Sequence, residues 1–539
     1  MGSLSFTAGD DPSLLDSPWA RACVWLLLAT GVIARLSPLL DINGRLYWQF
    51  LTEDGYLMQT IARNMAIGLG MTTANGTIPT NGVQPLVTFL YAGLHWLAGG
   101  SKLLAIGYVT VFSALVAVAA AWFLRRLTQL LLTPLPFAND IALLAAAMWF
   151  ASPLIVAHSM NGLETGLYYL ALIVSLVYYF SIDATAPMRS GQRVALGLTL
   201  GVAFLARNDA VFFIAALLGT HVVLGSTSVG GGRGTRFGDA FVAGALSLLV
   251  ASPWLAYNKL FFGSVVPISG TSQSHAAALG QNLRMIPANL IEAALLYVPI
   301  PRALETVWPV VGASMLILAA LGWTVWGLFG RHSLKGQRFC LVALLFSAGI
   351  GGYYGFFFGA PHFVTRYISA LSPLFAILSA TAAYLLIARV LRDRRVFVAM
   401  GSAIVSVLCM EAVGLAVLDY ARGESHMHKQ VVQWVQENVD ERQWVGAPQT
   451  GTLGYFHDRT LNLDGKVNPN ALRAVIERTH VLTYVLDDTP INFIVDWVGM
   501  ADWVLIAAEP RFGKAFEVVV KDEAANLAVL RRIVPIASP

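Results

Sequence analysis

The chain has 539 residues, of which 56% are hydrophobic and only 12% are charged. Soluble domains carry about 25% charged residues, so most of this chain does not face water. The net charge of +4 is small and no basic block is present, which argues against nucleic acid as a partner. The three cysteines show neither metal-binding spacing nor a disulfide framework.

Apolar runs of about 20 residues recur along most of the chain, and this length spans a bilayer core of roughly 30 Å. Such runs must be helical, because backbone groups inside a bilayer need internal hydrogen-bond partners. The first run has no basic region before it and no cleavage site after it, so it is predicted to be a retained helix. We predict helices at about 20–40, 102–124, 139–158, 163–182, 193–207, 210–225, 239–257, 304–329, 338–358, 366–390 and 396–419. The fold class is therefore an α-helical polytopic membrane protein with about 11–13 transmembrane helices.

Arginine and lysine residues indicate the orientation, because they concentrate in cytoplasmic loops. The basic loops are 125–126, 189–193, 233–236, 331–338 and 392–395. Placing them inside puts the amino terminus in the cytoplasm and the C-terminal residues outside. Only Val83–Ala98 does not fit this parity. We predict that it is an interfacial or re-entrant helix; the alternative is that it spans the membrane and that two other predicted helices are one.

Two domains follow from the change of composition near residue 422. Residues 1–421 form the transmembrane domain, with a first external loop at 41–85. Residues 422–539 form an extracytoplasmic α/β domain, called here the C-terminal domain. Its predicted helices are 425–439, 470–478 and 491–498, its predicted strands are 444–447, 460–463, 503–507, 516–520 and 527–533, and a turn is predicted at Gly451 and Gly454. It has no phosphate-binding loop or catalytic triad, so its simplest role is that of a lid or an acceptor-docking domain.

The first external loop contains two adjacent carboxylates, Glu53 and Asp54. A carboxylate at an apolar interface is partly desolvated, which raises its pKa and makes it a better base. The pair could also bind a divalent cation. The structural alternative is that Asp54 caps the helix that follows.

Amide groups follow in the same loop and in the turn between two apolar helices. Asn81 and Gln84 suit the hydroxyl groups of a sugar, although a turn followed by a helix cap explains them equally well. Asn161 and Glu164 lie in an external turn. An ionisable group such as Glu164 at membrane depth suggests a functional residue, and a helix cap is the alternative.

Three further positions bring charge to the external ends of helices. Arg207 and Asp209 interrupt a long apolar stretch, where they either pair with each other or leave Arg207 to bind an anion. Arg366 and Tyr367 open a helix on the external face, with His362 four residues before Arg366. Arginine binds phosphate through two hydrogen bonds, whereas snorkelling to the interface is the structural alternative.

Carboxylates, amides and arginines at one lipid interface suit a reaction on a lipid-linked phosphorylated donor. Arginines would hold the phosphate leaving group, an aspartate would deprotonate the incoming hydroxyl group, and amides would orient the sugar.

Several of these motifs resemble those of a known family. Glu53–Tyr56 is similar to the acidic signature of the GT-C superfamily of polyprenyl-phosphate-sugar glycosyltransferases, and 161–165 is similar to a turn of bacterial, arabinofuranosyltransferase-like members. Further matches are 63–64, 68–70, 81–85, 207–209, 257–258, 262–264, Pro267, 366–367 and 461–465. Glu53 and Asn208 depart from the pattern, because relatives often have Asp and Pro there, and this leaves the donor's identity open.

The resemblance implies an inverting transfer of a sugar from undecaprenyl or decaprenyl phosphate to a hydroxyl acceptor on the outer side of a bacterial cytoplasmic membrane. The acceptor would be a glycan, a lipid or a protein. Phosphate is a tolerable leaving group, so a metal is not required, and a divalent cation at Glu53 and Asp54 stays an open alternative. The residues expected at the site are Asp54 and Glu53 for catalysis, Arg366, Arg207 and His362 for the donor phosphate, and Asn81, Gln84, Asn161, Glu164, Asp209 and Tyr367 for sugar and acceptor.

Two other functions were weighed against this one. A transporter or flippase usually places polar groups near the middle of the membrane and often has inverted repeats, whereas here the polar groups lie at helix ends and no repeat is found. A non-catalytic assembly protein would bind a partner through its C-terminal domain, and its Asp54 and Arg366 would be dispensable for sugar transfer.

Overall fold

The computed structural model describes residues 13–42, 44–133, 137–183, 186–224, 232–275, 277–331, 333–391, 394–422, 428–477, 481–501 and 511–535. The helices before the C-terminal domain are Pro18–Leu36, Arg45–Trp48, Glu53–Ala66, Pro85–Leu97, Lys102–Leu132, Ala138–Ala151, Pro153–Met160, Thr165–Ser181, Ser190–Ala206, Ala210–Val223, Arg233–Phe262, Ile268–His275, Ile286–Leu295, Arg302–Glu305, Trp308–Val325, Leu334–Phe356, Val364–Ile368, Ser372–Val390 and Arg394–Arg422.

Within the described residues, seven helical stretches are long and apolar enough to cross a membrane. A bent pair, Ala138–Ala151 and Pro153–Met160, adds an eighth if it is one span. Shorter apolar helices, including Thr165–Ser181, Ser190–Ala206 and Ala210–Val223, account for the other predicted spans. Each predicted span therefore corresponds to an apolar helix, and the prediction of an α-helical polytopic membrane protein is confirmed.

The bent pair changes direction by 60° at Ser152 and Pro153. A break of this kind leaves backbone carbonyl groups without helical donors, which is costly in an apolar environment. The buried Arg35 donates to the carbonyl oxygen of Phe150 at 2.8 Å, and the Tyr297 hydroxyl donates to that of Met148 at 2.9 Å. The break is thus stabilised by side chains from other helices, and its second half leads directly into the turn at 161–165.

Residues 41–85, which the sequence predicts to be the first external loop, contain the helix Glu53–Ala66, which we call the first-loop helix. Thr52 is its N-cap, because the Thr52 hydroxyl accepts a hydrogen bond from the Gly55 N–H at 3.2 Å. Asp54 is therefore not the cap. The helix packs through buried residues such as Met58 and Ile61 against the helix Pro85–Leu97. Between these helices, Thr72–Thr73 and Ile78–Pro79 pair as short antiparallel strands.

The C-terminal domain contains a five-stranded sheet with the order Thr460–Asn462, Trp444–Ala447, Ile491–Asp496, Leu527–Arg532, Phe516–Asp522. The first three strands are parallel and the last two pair antiparallel to their neighbours. The domain's helices are Lys429–Asn438, Gly451–Phe456, Pro469–Ile476, Val481–Asp488 and Phe512–Ala515. The prediction of a C-terminal α/β domain agrees with this sheet and these helices.

Two local predictions in this domain were wrong. Residues 491–498 were predicted to be helical, but Ile491–Asp496 is a strand between two others; short apolar runs look alike in buried strands and helices. Gly451 and Gly454 were predicted to form a turn, but they lie in the helix Gly451–Phe456. The predicted strand 503–507 lies outside the described residues.

Candidate functional site

A cavity of about 410 Å³ lies where the first-loop helix, the turn at 161–165 and the C-terminal domain meet. The residues with polar side-chain groups that line it are Asp54, Gln84, Glu164, Arg207, Asn208, Asp209, Ser269, Gln273, Tyr353, Tyr354, Arg366, Tyr367 and Lys466. Apolar residues, including Phe204, Phe212, Leu255, Val265 and Val266, form another part of its wall. The structure thus brings together Asp54, Gln84, Glu164, Arg207, Asp209, Arg366 and Tyr367, whereas Glu53, Asn81, Asn161 and His362 do not line the cavity.

Asp54 projects from the first turn of the first-loop helix between two cations. Its Oδ2 lies 3.2 Å from Arg366 Nη1, and its Oδ1 lies 3.8 Å from Lys466 Nζ. Burial raises the pKa of this carboxyl group, but Lys466, Arg366 and the nearby His362 lower it, and the resulting pKa is below the usual value. The sequence had suggested a raised pKa for this carboxylate, and that expectation was wrong because the neighbouring cations outweigh burial. Asp54 is therefore ionised at neutral pH and able to accept a proton.

Arg366 reaches the cavity from the short helix Val364–Ile368. Its Nη2 donates to the Tyr367 hydroxyl at 3.0 Å, and its guanidinium carbon lies 4.6 Å from the centre of the Phe363 ring. Its Nε is buried and has no hydrogen-bond partner within the described part of the chain. Arg366 therefore retains a donor for a bound anion.

Arg207 and Asp209 pair with each other, which is one of the two arrangements that the sequence had left open. Arg207 Nε and Nη2 donate to the two carboxylate oxygens at 2.8 Å and 2.6 Å, and the Tyr354 hydroxyl donates to Asp209 at 2.8 Å. Arg207 Nη2 also donates to the backbone carbonyl of Tyr367 at 3.2 Å. This buried pair fixes the cavity wall beside Tyr367 and neutralises the charge of Arg207.

Several polar lining residues have acceptors that no described residue uses, among them Glu164, Gln84 and Asn208. Glu164 is only 5% exposed, and its carboxylate has no hydrogen bond within the described part of the chain. Gln84 Oε1 is buried and likewise has no partner among those residues. Both side chains belong to the wall of the cavity.

Glu53 points away from the cavity into the C-terminal domain. Its carboxylate accepts hydrogen bonds from the Gly451 N–H at 3.0 Å, from the Thr452 N–H at 3.3 Å and from the Thr452 hydroxyl. His428 Nδ1 lies 3.5 Å from Glu53 Oε1. Glu53 therefore joins the two domains at the start of the helix Gly451–Phe456.

Asn81 and Asn161 hold backbone segments beside the cavity. Asn81 donates to Asn258 Oδ1 at 3.1 Å and accepts from the Ile268 N–H at 3.1 Å. Asn161 accepts from the Leu163 N–H at 3.0 Å through its side chain. His362 is exposed, and its ring centre lies 4.0 Å from that of Phe363.

The residues around Glu53 and Asp54 do not fit a divalent cation. The two carboxylates diverge, one towards Gly451 and the other towards Arg366 and Lys466, so no oxygen cage forms between them. Two cations beside Asp54 also oppose a third positive charge. The described part of the chain has no group of three or more metal-binding side chains.

Lys466 is the charged lining residue that the sequence did not predict; Ser269, Gln273 and Tyr354 also line the cavity without having been predicted. It follows Asp464 and Gly465 directly, and the resemblance to the GT-C superfamily had ended at Gly465. Lys466 Nζ lies 3.4 Å from Asp464 Oδ2. A basic residue at the end of a matched motif was the feature that could have revealed it.

Comparisons with known proteins agree on the fold. ArnT from Cupriavidus metallidurans bound to undecaprenyl phosphate is 14% identical, with a TM-score of 0.56 over 96% of this chain and 99% of that one. The oligosaccharyltransferase AglB from Archaeoglobus fulgidus, in complex with an inhibitory peptide and a dolichol-phosphate, is 13% identical, with a TM-score of 0.52 over 94% of this chain and 73% of that one. Both have the GT-C fold, so this chain has it too, as the sequence resemblance had indicated.

One family model matches part of the sequence. Residues 418–529 match the model of a domain of unknown function, DUF8728. No curated protein matches the sequence.

Proposed function

We propose that this protein is a glycosyltransferase that moves a sugar from a polyprenyl-phosphate donor to a hydroxyl group of an acceptor, with inversion at the anomeric carbon. The observation that carries the proposal is the position of Asp54, an ionised carboxylate that faces Arg366 and Lys466 in a cavity with an apolar wall. A base, a phosphate-binding cation and an apolar surface for a lipid are the three elements that this reaction needs.

In the proposed reaction, the hydroxyl oxygen of the acceptor attacks the anomeric carbon, and Asp54 accepts the proton of that hydroxyl group. The bond between that carbon and the phosphate oxygen breaks, and its electron pair stays on the phosphate. Arg366 stabilises the charge that develops there, because its side chain lines the cavity and its Nη1 lies beside Asp54. No step in this mechanism uses a metal.

The other cavity residues take supporting roles in the proposal. Gln84 and Glu164 bind hydroxyl groups of the sugar or the acceptor through their free oxygens. Tyr367 holds Arg366 in place, and the Arg207–Asp209 pair supports Tyr367 through its backbone carbonyl. Asn81 and Asn161 order the loops, His362 lies close enough to Asp54 to affect its pKa, and Glu53 anchors the C-terminal domain.

The polyprenyl chain would lie along the apolar wall. Val265 and Val266 line the cavity and are about half exposed, and the nearby Leu260 and Phe261 at the end of the helix Arg233–Phe262 are more exposed still. Exposed apolar residues on a membrane protein face lipid. A donor could therefore enter from the bilayer with its phosphate towards Arg366.

We also propose the orientation and the division of the chain that the sequence suggested. The amino terminus would be cytoplasmic, residues 422–539 would form an extracytoplasmic domain, and transfer would occur on the outer side of a bacterial cytoplasmic membrane. The distribution of Arg and Lys among the loops supports this orientation.

The test is a mass-spectrometric transfer assay in proteoliposomes with a panel of polyprenyl-phosphate sugars and candidate acceptors. We expect one donor to be consumed and free polyprenyl phosphate to form. Asp54→Asn should lower the rate by at least about 100-fold, whereas Asp488→Asn, at an exposed position, should not change it. Full turnover by folded Asp54→Asn protein would refute the base assignment. Movement of intact donor across the bilayer without cleavage would instead identify a flippase.

A further inference from the structure

Lys466, at the end of the segment 462–466 of the C-terminal domain, lines the cavity. The Gly465 N–H donates to Asn462 Oδ1 at 3.0 Å, and the Lys466 N–H donates to Asp464 Oδ1 at 2.9 Å. A Cβ atom on Gly82 would lie 2.3 Å from the Lys466 carbonyl oxygen, so the segment sits directly on the first external loop. Its backbone is therefore fixed, and the Lys466 side chain is presented to the cavity.

Lys466 Nζ is placed between two carboxylates and an aromatic ring. It lies 3.4 Å from Asp464 Oδ2, 3.8 Å from Asp54 Oδ1 and 5.6 Å from the centre of the Phe363 ring. The Lys466 side chain is only 18% exposed. Arg366 also contacts the Phe363 ring, so both cations make cation–π contacts with the same ring beside Asp54. Arg366 comes from the transmembrane domain and Lys466 from the C-terminal domain.

The chemistry of the proposed transfer calls for a second cation. A polyprenyl-phosphate sugar is a phosphate diester with one negative charge. Cleavage of the bond to the anomeric carbon leaves a phosphate monoester that carries an additional negative charge. A cation that approaches as this charge develops stabilises the transition state more than the bound donor.

We propose that Lys466 is a phosphate-binding residue, which the C-terminal domain supplies to the active site and which moves from Asp54 to the donor phosphate during transfer. This inference rests on the proposed function. The shift requires only a rotation of the lysine side chain, because the phosphate must lie near Arg366, which contacts the same Asp54 carboxylate. The C-terminal domain then completes the catalytic site.

The same exchange frees Asp54 to act as the base. Lys466 and Arg366 are the cations beside Asp54, and together with the nearby ring of His362 they lower the pKa of Asp54 against the effect of burial. Asp464 forms a second ion pair with Lys466, and Glu164 interacts electrostatically with Arg366. When the phosphate takes over Lys466 and Arg366, their effect on Asp54 weakens and the carboxylate becomes more basic. Proton abstraction would thus be favoured only as the bond to the donor phosphate breaks.

Binding of undecaprenyl phosphate to the purified full chain, with undecaprenol as the uncharged control lipid, tests the inference without any transfer. For Lys466→Gln we expect an affinity for undecaprenyl phosphate that is lower by about 10- to 100-fold, with undecaprenol binding unchanged. Lys466→Arg should keep most of the affinity. Lys514→Gln, at an exposed position of the same domain, is the matched control. Wild-type affinity for undecaprenyl phosphate in folded Lys466→Gln protein would overturn the inference.

Chemical restoration of the charge separates phosphate binding from a structural role. Lys466→Cys, in a background without the three native cysteines, is treated with 2-aminoethyl methanethiosulfonate, which attaches an amine, or with methyl methanethiosulfonate, which is neutral. We expect the amine alone to restore undecaprenyl phosphate binding and transfer, with the loss and the recovery in kcat rather than in the donor KM. Equal recovery with both reagents, or no recovery with the amine, would overturn the inference.

These outcomes are distinct from failure of the proposed function. If the wild-type protein binds undecaprenyl phosphate through Lys466 but transfers no sugar, the glycosyltransferase proposal fails and the phosphate site stands. If transfer requires Asp54 but is indifferent to the charge at 466, the glycosyltransferase proposal stands and the role of Lys466 fails.

Discussion

Arg366 Nη1 lies 3.2 Å from Asp54 Oδ2, although the two residues are 312 positions apart in the sequence. The contact joins the first external loop to the start of a helix near the end of the transmembrane domain. The contact also makes the basicity of Asp54 depend on Arg366. The donor phosphate would compete with Asp54 for this arginine in the proposed reaction.

Replacement of Arg366 should therefore change the pH dependence of transfer as well as its rate. A base must be deprotonated in the free enzyme, so kcat/KM falls as the pH falls through the pKa of Asp54. Burial raises that pKa, and Lys466 and Arg366 lower it, so Arg366→Gln should move the acidic limb of the profile to higher pH. The measurement is kcat/KM in proteoliposomes between about pH 4 and pH 8.

Arg366→Lys is the control, because it keeps the charge near Asp54 but loses the planar donor fork. We expect its acidic limb to stay close to that of the wild type while its rate falls. An acidic limb that is the same in Arg366→Gln and in the wild type would show that Asp54 is not the group that titrates.

The different partners of the adjacent carboxylates Glu53 and Asp54 could not be predicted from the sequence. Successive residues on a helix point about 100° apart, so of Glu53 and Asp54 only one could face the cavity. The sequence could not tell which one met the C-terminal domain, because the partners Gly451 and Thr452 lie almost 400 positions away. Lys466 was missed for the same reason: its side chain matters through a contact between domains.

Local features were predicted well, because the hydropathy pattern of a helix depends only on residues that are close together in the sequence. The spans and most strands of the C-terminal domain follow from apolar runs of suitable length, and the resemblance led to the GT-C fold. The strand Ile491–Asp496 was mistaken for a helix, since neither face of it is exposed and a strand covered on both faces lacks the alternation of apolar and polar residues. The pairing of Arg207 with Asp209 was one of two stated alternatives, and only the structure could choose between them.

Glu53→Ala should weaken the attachment of the C-terminal domain more than it alters chemistry. It removes the acceptor for the Gly451 and Thr452 N–H groups, and each lost hydrogen bond to a charged group costs about 1.5–3 kcal/mol. We expect a lower melting temperature by differential scanning fluorimetry and faster hydrogen exchange in the helix Gly451–Phe456.

Glu437→Ala, on an exposed helix position of the C-terminal domain, provides the control and should melt like the wild type. A divalent cation should not stabilise the wild type more than Glu53→Ala. Loss of a cation-dependent rise in melting temperature in Glu53→Ala would instead support a metal site.

The docking of the two domains should also depend on pH through His428. This buried residue lies 3.0 Å from Asp496 Oδ1 and 3.5 Å from Glu53 Oε1. Burial lowers the pKa of His428, but Glu53 and Asp496 raise it, and the resulting pKa is above the usual value of about 6.5. The protonated form therefore favours docking. Its stabilisation is fully present below the unfolded-state pKa and is lost as the pH rises through the higher folded-state pKa.

We expect hydrogen exchange in the helix Gly451–Phe456 to accelerate across that pH window in the wild type, beyond the intrinsic effect of pH on exchange. The acceleration should be absent in His428→Gln, whose docking is weaker at low pH, and unchanged in His275→Gln, at an exposed position. Retention of the full pH effect in His428→Gln would assign it to another group.

Gly451→Ala tests the close approach between the domains directly. A Cβ atom on Gly451 would lie 1.7 Å from the Glu53 carbonyl oxygen, which belongs to the backbone and cannot rotate away. Either the helix Gly451–Phe456 or the first-loop helix must then shift, and either shift would displace Asp54 from Lys466. We expect a destabilisation of about 1–3 kcal/mol or more, as for overpacked cores, together with loss of transfer.

Gly454→Ala is the matched control, because it lies in the same helix and gains the same helix propensity. A Cβ atom there would meet Thr460 at 3.8 Å, an ordinary van der Waals distance. The two variants should therefore differ in melting temperature and in transfer rate although they add the same methyl group. Equal behaviour would mean that the contact between Gly451 and Glu53 does not hold the C-terminal domain against the first-loop helix, and that the placement of Asp54 depends on the ion pairs with Arg366 and Lys466 alone.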